Sequence, residues 1–266
     1  KKYRFLIARR FTQLSIIALY ILANIYGINI LMGNLSNSLV LQTVNLSDPF
    51  AVLQMIFAGA IISFDIALGA LIISIFYFIL GGRAFCSWVC PVNIITDCAN
   101  YLRRVLKFDE VQKKQPATRN LRYWLILISF IISYFMGVAA FELISPVSMV
   151  HRGLIFGLGF GLATMIVIFL FDLFVLKNGW CGHICPLGGF YSLIGRFSLL
   201  RVHHNSEKCT ACMKCKVVCP EIQVLHMIDK SSEPVLQECT LCARCIEVCE
   251  DDALNFELRN YMKEKK

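Results

Sequence analysis

The chain has 266 residues, of which 57% are hydrophobic, and its formal net charge is +8. Soluble domains are only about half apolar, so this composition predicts a protein that contacts lipid. The positive charge lies mainly in residues 1–200, which carry 16 Lys and Arg against 7 Asp and Glu. Because basic residues between hydrophobic segments are typical of membrane topology, and no nucleic-acid recognition motif accompanies them, a nucleic-acid partner is excluded.

Four apolar stretches are long enough to cross about 30 Å of hydrocarbon. They cover residues 11–32, 61–80, 123–141 and 154–176. Lys and Arg mark the cytoplasmic side of a membrane, and they are concentrated before the first stretch and between the second and third, where Lys113, Lys114 and Arg119 lie. The sequence therefore predicts a multi-pass protein of the bacterial inner membrane with both termini in the cytoplasm.

The membrane part has the pattern of a duplication. Asp48-Pro49-Phe50 predicts the start of a separate helix at the membrane surface, ending near Gly59, and Ser145-Pro146-Val147 matches it in the second half. The predicted fold is an all-α four-helix transmembrane bundle of two parallel two-span repeats over residues 1–200. A small α+β two-cluster ferredoxin domain follows over residues 201–266.

Each repeat ends in a Cys-x3-Cys-Pro motif, formed by Cys86 and Cys90 and by Cys181 and Cys185. Cysteines four apart lie on one face of a helix, so each pair is expected to chelate through adjacent sulfurs. If the repeats bring the pairs together, four thiolates converge on a further metal centre. Packed free thiols, reversible dithiols and partner contacts remain alternatives. Cys98 stands alone and is predicted to be a buried apolar residue.

Two longer cysteine runs are the strongest signal in the chain, because each has the Cys-x2-Cys-x2-Cys-x3-Cys spacing of a two-cluster ferredoxin. In such ferredoxins the fourth cysteine of each run binds the cluster of the other run. The spacing therefore predicts two [4Fe–4S] clusters. One is held by Cys209, Cys212, Cys215 and Cys249, and the other by Cys239, Cys242, Cys245 and Cys219.

Two details of these runs bear on that prediction. Structural zinc modules normally use two Cys-x2-Cys pairs, so eight cysteines in two four-member runs favour iron and sulfide over zinc. The second run has Glu250 where the motif expects proline. We expect this change to alter the local geometry without removing the cluster.

The motifs CSWVCP and CGHICP, together with the predicted spans and the two-cluster tail, resemble the NapH-type ferredoxin proteins, in a superfamily that also includes NosR and MauN. The NapH-type proteins are the membrane quinol dehydrogenase subunits of periplasmic nitrate reductase systems. The resemblance covers nearly the whole chain. It implies oxidation of menaquinol or ubiquinol from the quinone pool, with electrons passed to a periplasmic NapG-like iron–sulfur partner. The alternative function is an accessory or maturation factor whose clusters reduce copper, thiols or an assembling metalloenzyme.

Three ionisable residues are candidates for catalytic proton transfer. Oxidation of a quinol releases protons, and a carboxylate or histidine close to the quinol would accept them. Asp65 and Asp172 lie inside predicted spans, where a carboxylate is costly and therefore a functional candidate, and His151 lies at the predicted outer interface. The alternatives are structural, with His151 as a surface residue and Asp172 paired with Lys177.

Overall fold

The computed structural model describes residues 3–27, 30–108, 120–156 and 159–259. The chain forms two compact units, and each is assembled from separate stretches of sequence. Unit 1 comprises residues 1–12, 76–89 and 191–266, and unit 2 comprises residues 13–75 and 90–190. The boundary near residue 200 between a membrane domain and a ferredoxin domain stays a prediction.

Helix α1 runs from Arg4 to Tyr26. Within the described ranges it is the one helix that is both long enough and apolar enough to cross a membrane. Its first residues belong to unit 1 and the rest belongs to unit 2.

Unit 2 contains a small antiparallel sheet that follows α1. Strands β1 (Leu31–Gly33), β2 (Asn37–Val40) and β3 (Val44–Ser47) pair in that order. Gly33 permits the turn between the first two strands, because its φ is +101° and a Cβ there would lie 2.4 Å from the Asn37 carbonyl oxygen.

Helix α2 (Pro49–Phe57) begins where the Asp48-Pro49 signal predicts. The Asp48 carboxylate accepts a hydrogen bond of 3.2 Å from the Ala51 amide, which caps the helix. Gly59, with φ +79°, separates α2 from α3 (Phe64–Leu80). The prediction of a separate helix broken near Gly59 is therefore confirmed.

The described residues between 84 and 195 are mainly helical. The elements are α4 (Ala84–Trp88), α5 (Val92–Val105), α6 (Leu121–Met136), α7 (Ala140–Ile144), α8 (Pro146–Phe156), α9 (Gly159–Leu170), π-helical turns at Phe171–Val175 and Trp180–Ile184, and α10 (Pro186–Gly195). In unit 2, α5 packs against α9 and the π-helical turn that follows it. Arg103 of α5 donates to the carbonyl oxygens of Asp172 and Leu173 at 3.0 and 3.1 Å.

The prediction of a four-helix transmembrane bundle is wrong. Helices α3 and α6 contain 17 and 16 residues, which is about 24–26 Å of helix and less than the hydrocarbon thickness. Helix α6 ends early because Gly137 adopts a left-handed conformation, with φ +66°, and its amide donates to the Ser133 carbonyl. The predicted fourth span changes from α-helix to π-helix after Leu170. Lys113, Lys114 and Arg119 lie outside the described residues.

Unit 1 contains the two cysteine runs. Strands β4 (Leu200–His204) and β5 (Leu254–Leu258) pair antiparallel, with Val202 opposite Phe256. Between them lie helices α11 (Lys214–Val218) and α12 (Arg244–Val248), which pack against each other. The strands and helices place the first run beside the second.

Candidate metal centres

The two cysteine runs have the same loop conformation. Ala211 and Met213 in the first run and Leu241 and Ala243 in the second all have positive φ values between 52° and 58°. Alternating left-handed and right-handed residues turn successive backbone amides toward one centre, which suits a negatively charged group. The Leu241 amide donates to the Cys239 Sγ at 3.4 Å. The loops are thus shaped to surround an anionic centre.

Four cysteines line one small cavity in unit 1. Three belong to the first run, namely Cys209, Cys212 and Cys215, and the fourth is Cys249 from the end of the second run. This is the arrangement that crossed ligation requires. The assignment of ligands to clusters stays a prediction until the iron content of variants is measured.

The other four cysteines also lie close together. Cys219 interacts electrostatically with Cys239 and Cys242, and Cys245 interacts with these three and with Cys215 of the first group. Burial raises the pKa of the Cys239 thiol to about 12, and it raises the pKa values of Cys219 and Cys245 well above their usual range. A thiol this deeply buried stays protonated at neutral pH unless a metal replaces its proton. The group therefore suits a bound iron–sulfur cluster.

Each of the two groups supplies four cysteines. Four cysteines are the number that holds one [4Fe–4S] cluster.

The two Cys-x3-Cys-Pro motifs differ from the predicted helical geometry. Helix α4 contains Cys86 and ends before Cys90. In the other motif Cys181 lies in a π-helical turn, where the Cys185 amide donates to the Trp180 carbonyl at 2.9 Å, and Cys185 itself is extended. Both second cysteines precede proline, which disfavours the helical region for the preceding residue. A metal shared by these pairs stays a prediction.

A buried ion pair stands beside the second cysteine run, and the sequence analysis did not anticipate it. The Arg83 guanidinium lies 3.0 Å from the Glu221 carboxylate, and both side chains are almost fully buried. The same Nη1 donates to the Glu238 carbonyl at 2.7 Å, immediately before Cys239. In the sequence, Arg83 looks like one more basic residue at the end of a span, so nothing signals this role.

Two side chains of α4 also donate hydrogen bonds to the loop that follows Glu238. The Ser87 Oγ donates to the Thr240 carbonyl at 2.6 Å, and the Trp88 Nε1 donates to the Leu241 carbonyl at 3.1 Å. Together with Arg83, these side chains bind three carbonyls of the segment between residues 238 and 241. The helix that carries Cys86 is therefore fixed to the loop that carries Cys239 and Cys242.

The three predicted proton-transfer residues have different surroundings. Asp65 is exposed in the first turn of α3, where a carboxylate interacts favourably with the helix dipole. His151 is buried, packs edge-on against Tyr20 at 4.8 Å, and has no hydrogen-bond partner for Nε2 within the described chain. Burial lowers the pKa of His151 to about 4, so its ring is neutral at pH 7. Asp172 is buried and accepts from the Trp180 amide at 3.0 Å.

These positions change two expectations. His151 is not a surface residue, and its catalytic role, like those of Asp65 and Asp172, stays a prediction. Cys98 is exposed on α5, so the prediction that it is buried is wrong.

Comparison with protein families gives three matches along the chain. The family described as "4Fe-4S binding domain" matches twice, at residues 52–109 and 158–203. Each match contains one Cys-x3-Cys-Pro motif. The family described as "4Fe-4S dicluster domain" matches residues 201–250, which contain both long cysteine runs.

Curated relatives match over most of the chain. "Ferredoxin-type protein NapH" of Haemophilus influenzae is 41% identical over 96% of this chain and 90% of its own length, and the protein of the same name from Escherichia coli is 38% identical over 97% and 91%. "Methylamine utilization ferredoxin-type protein MauN" of Paracoccus denitrificans is 41% identical over 84% of this chain and 78% of its own length. No solved structure matches.

Proposed function

Since the chain belongs to the family of ferredoxin-type proteins that includes NapH and MauN, we propose that this iron–sulfur electron-transfer protein oxidises menaquinol or ubiquinol. Its electrons would pass to a periplasmic iron–sulfur partner of the NapG type and onward to nitrate reduction. The observation that carries the proposal is the cavity lined by Cys209, Cys212, Cys215 and Cys249. Four thiols around one space are what a redox cluster needs.

Association with a membrane is supported by exposed apolar surface as well as by α1. Leu71 on α3 and Trp124 and Phe135 on α6 are 55%, 63% and 80% exposed. Large apolar side chains that are this exposed are consistent with contact with lipid or another protein. We propose the bacterial inner membrane as the location, with the termini in the cytoplasm. In unit 1 the Phe5 amide donates to the Glu247 carboxylate, which supports a common side for the start of α1 and the cysteine runs.

In this proposal the eight cysteines would hold two clusters, which would supply one-electron redox chemistry for a quinol that gives up two electrons and two protons. The backbone amides of the cysteine loops would offset the negative charge of the clusters. His151 and Asp172 are proposed to receive protons, because His151 Nε2 and Asp172 Oδ2 are buried without hydrogen-bond partners in the described chain. Asp65 is a third candidate, and from its exposed position it would pass protons to water.

Quinol oxidation is tested by adding a menaquinol analogue to anaerobically purified, iron-loaded protein in detergent. We expect the visible absorption of the oxidised clusters to decrease, with two cluster electrons gained for each quinol consumed. The matched control is the same protein with the oxidised quinone, which should cause no change. Clusters that stay oxidised with quinol, even when the periplasmic partner is present, would overturn the proposal.

The accessory or maturation function is a second candidate, because the comparisons do not select nitrate reduction as the function. MauN carries methylamine utilization in its name and matches this chain at the same 41% identity as a NapH protein, so similarity alone does not select nitrate reduction. If this function is correct, the reduced protein should transfer electrons to copper or disulfide substrates faster than it takes them from quinol.

A further metal centre at the Cys-x3-Cys-Pro pairs is also proposed, and the double match to a 4Fe-4S binding family supports it. Two [4Fe–4S] clusters account for about eight irons per chain. If the pairs bind iron, wild-type protein should exceed this content, and a Cys181→Ser/Cys185→Ser variant should return to about eight. Equal iron in both proteins would remove the proposal, and Cys98→Ser is the control for loss of an unrelated thiol.

A further inference from the structure

Unit 1 contains an apolar cavity beside the second cysteine run. It has a volume of about 380 Å³ and is partly open, and this volume lies within the usual range for small-molecule sites. Its wall includes Phe76, Tyr77, Leu80, Trp88, Leu241 and Phe256. Four of the ten lining side chains are aromatic, and the cavity offers almost no polar surface to a ligand.

The cavity shares two of its wall residues with the contact between α4 and the second run. Trp88 donates its Nε1 hydrogen to the Leu241 carbonyl, and Leu241 lies between Cys239 and Cys242. Gly81 brings the backbone before α4 close to the same leucine, since a Cβ at Gly81 would lie 2.1 Å from the Leu241 Cδ1. A molecule in the cavity would therefore touch the loop that holds two cluster cysteines.

We infer that this cavity binds the ring of a quinone, with the second cysteine run as its immediate neighbour. The inference rests on the proposed quinol oxidation and adds a place where the quinone ring binds. A quinone ring is flat and largely apolar, so it can stack on aromatic side chains of this kind. Phe76 is half exposed as well as lining the cavity, so the site opens at an apolar surface that a lipid-soluble ligand can reach.

The closest alternative occupant is a lipid acyl chain, and the chemistry of the wall favours the quinone. An acyl chain gains nothing specific from aromatic rings or from a cluster loop. A quinone gains stacking contacts, and in this cavity it lies next to the loop that contains Cys239 and Cys242. If a phospholipid co-purifies with the protein and excess quinone does not displace it, the occupant of the cavity is the lipid and the inference is wrong.

The first test is photoaffinity labelling of the wild-type, iron-loaded protein with a photoreactive quinone, followed by mass spectrometry. We expect label within residues 76–89 and at Leu241 or Phe256, and competition by an unlabelled quinone analogue. Label confined to other segments overturns the site. This measurement needs no variant and does not depend on turnover.

The second test narrows the cavity and measures the affinity for a quinone analogue by equilibrium dialysis. Leu80→Trp and Ala84→Phe each add bulk at the wall, and we expect them to weaken binding about tenfold or more, which corresponds to about 1.4 kcal/mol. Leu71→Trp, on the exposed face of the same helix, is the matched control and should bind like wild type. Iron content should be equal in all four proteins.

The outcomes separate this inference from the proposed function. If quinol reduces the clusters but the cavity variants bind the analogue normally, the site is wrong and the function stands. If the cavity is labelled but quinol never reduces the clusters, the site stands and the function fails. Wild-type protein that binds no quinone overturns both, and a cavity variant that loses iron leaves the decision to the labelling experiment.

Discussion

A Cys209→Ser/Cys249→Ser variant is expected to keep one intact cluster, with about four irons from the two long runs. Both cysteines line the same cavity, so their loss damages one cluster only. A Cys242→Ser/Cys249→Ser variant should lose both clusters, because Cys242 belongs to the other group. The measurement is iron and acid-labile sulfide per chain, together with electron paramagnetic resonance of the reduced protein.

This comparison distinguishes crossed from uncrossed ligation. If each run held its own cluster, the two results would be exchanged, and Cys209→Ser/Cys249→Ser would lose both clusters. Cys98→Ser provides the control, because Cys98 is exposed and lies outside every motif. Serine is close in size to cysteine, so the effects should come from the lost thiolates and not from altered packing.

Arg83→Met is expected to destabilise unit 1 by about 3–5 kcal/mol, because it leaves the buried Glu221 carboxylate without its partner. It also removes the hydrogen bond to the Glu238 carbonyl beside Cys239. Unfolding of a protein with bound clusters is not a two-state process. The appropriate measurement is therefore the temperature at which the cluster absorption disappears, and this temperature should fall by several degrees.

Two further variants identify why Arg83→Met lowers the stability of unit 1. Arg83→Met/Glu221→Met removes both charges and should recover most of the stability, because replacing a buried pair with apolar residues is often neutral. Glu257→Gln removes the exposed carboxylate that lies 3.8 Å from the His203 ring and should leave the bleaching temperature unchanged. A double variant as unstable as the single one would show that the loss comes from packing and not from an unpaired charge.

The cysteine spacing and the helix-start signals were informative because they are local. Three cysteines of a run are close in sequence, and Pro49 and Pro146 both begin helices at the positions that their neighbours indicate. The lengths of the apolar helices were not predictable in the same way. Gly137 ends α6 through a left-handed conformation, and hydropathy contains no information about that dihedral angle.

Helix α5 shows a second limit of sequence reasoning. Its buried positions include Thr96, Asn100 and Arg103, which repeat at helical spacing but are polar. Because a search for apolar periodicity looks for hydrophobic residues on the buried face, such a helix looks like a basic connecting loop. The contact between Arg83 and Glu221 was missed for a related reason, since the two residues are far apart in the sequence and neither is unusual on its own.

Unit 1 contains both the beginning and the end of the sequence, and this has a consequence for biosynthesis. Phe5, near the start of α1, packs edge-on against Phe256 of β5 with ring centroids 5.8 Å apart. Pairing across such a separation is slow to form, and the ribosome must have made both segments before it can occur. We therefore expect a nascent chain to acquire its metal late, after translation has passed β5, so that a prematurely terminated product would remain without iron and be open to proteolysis.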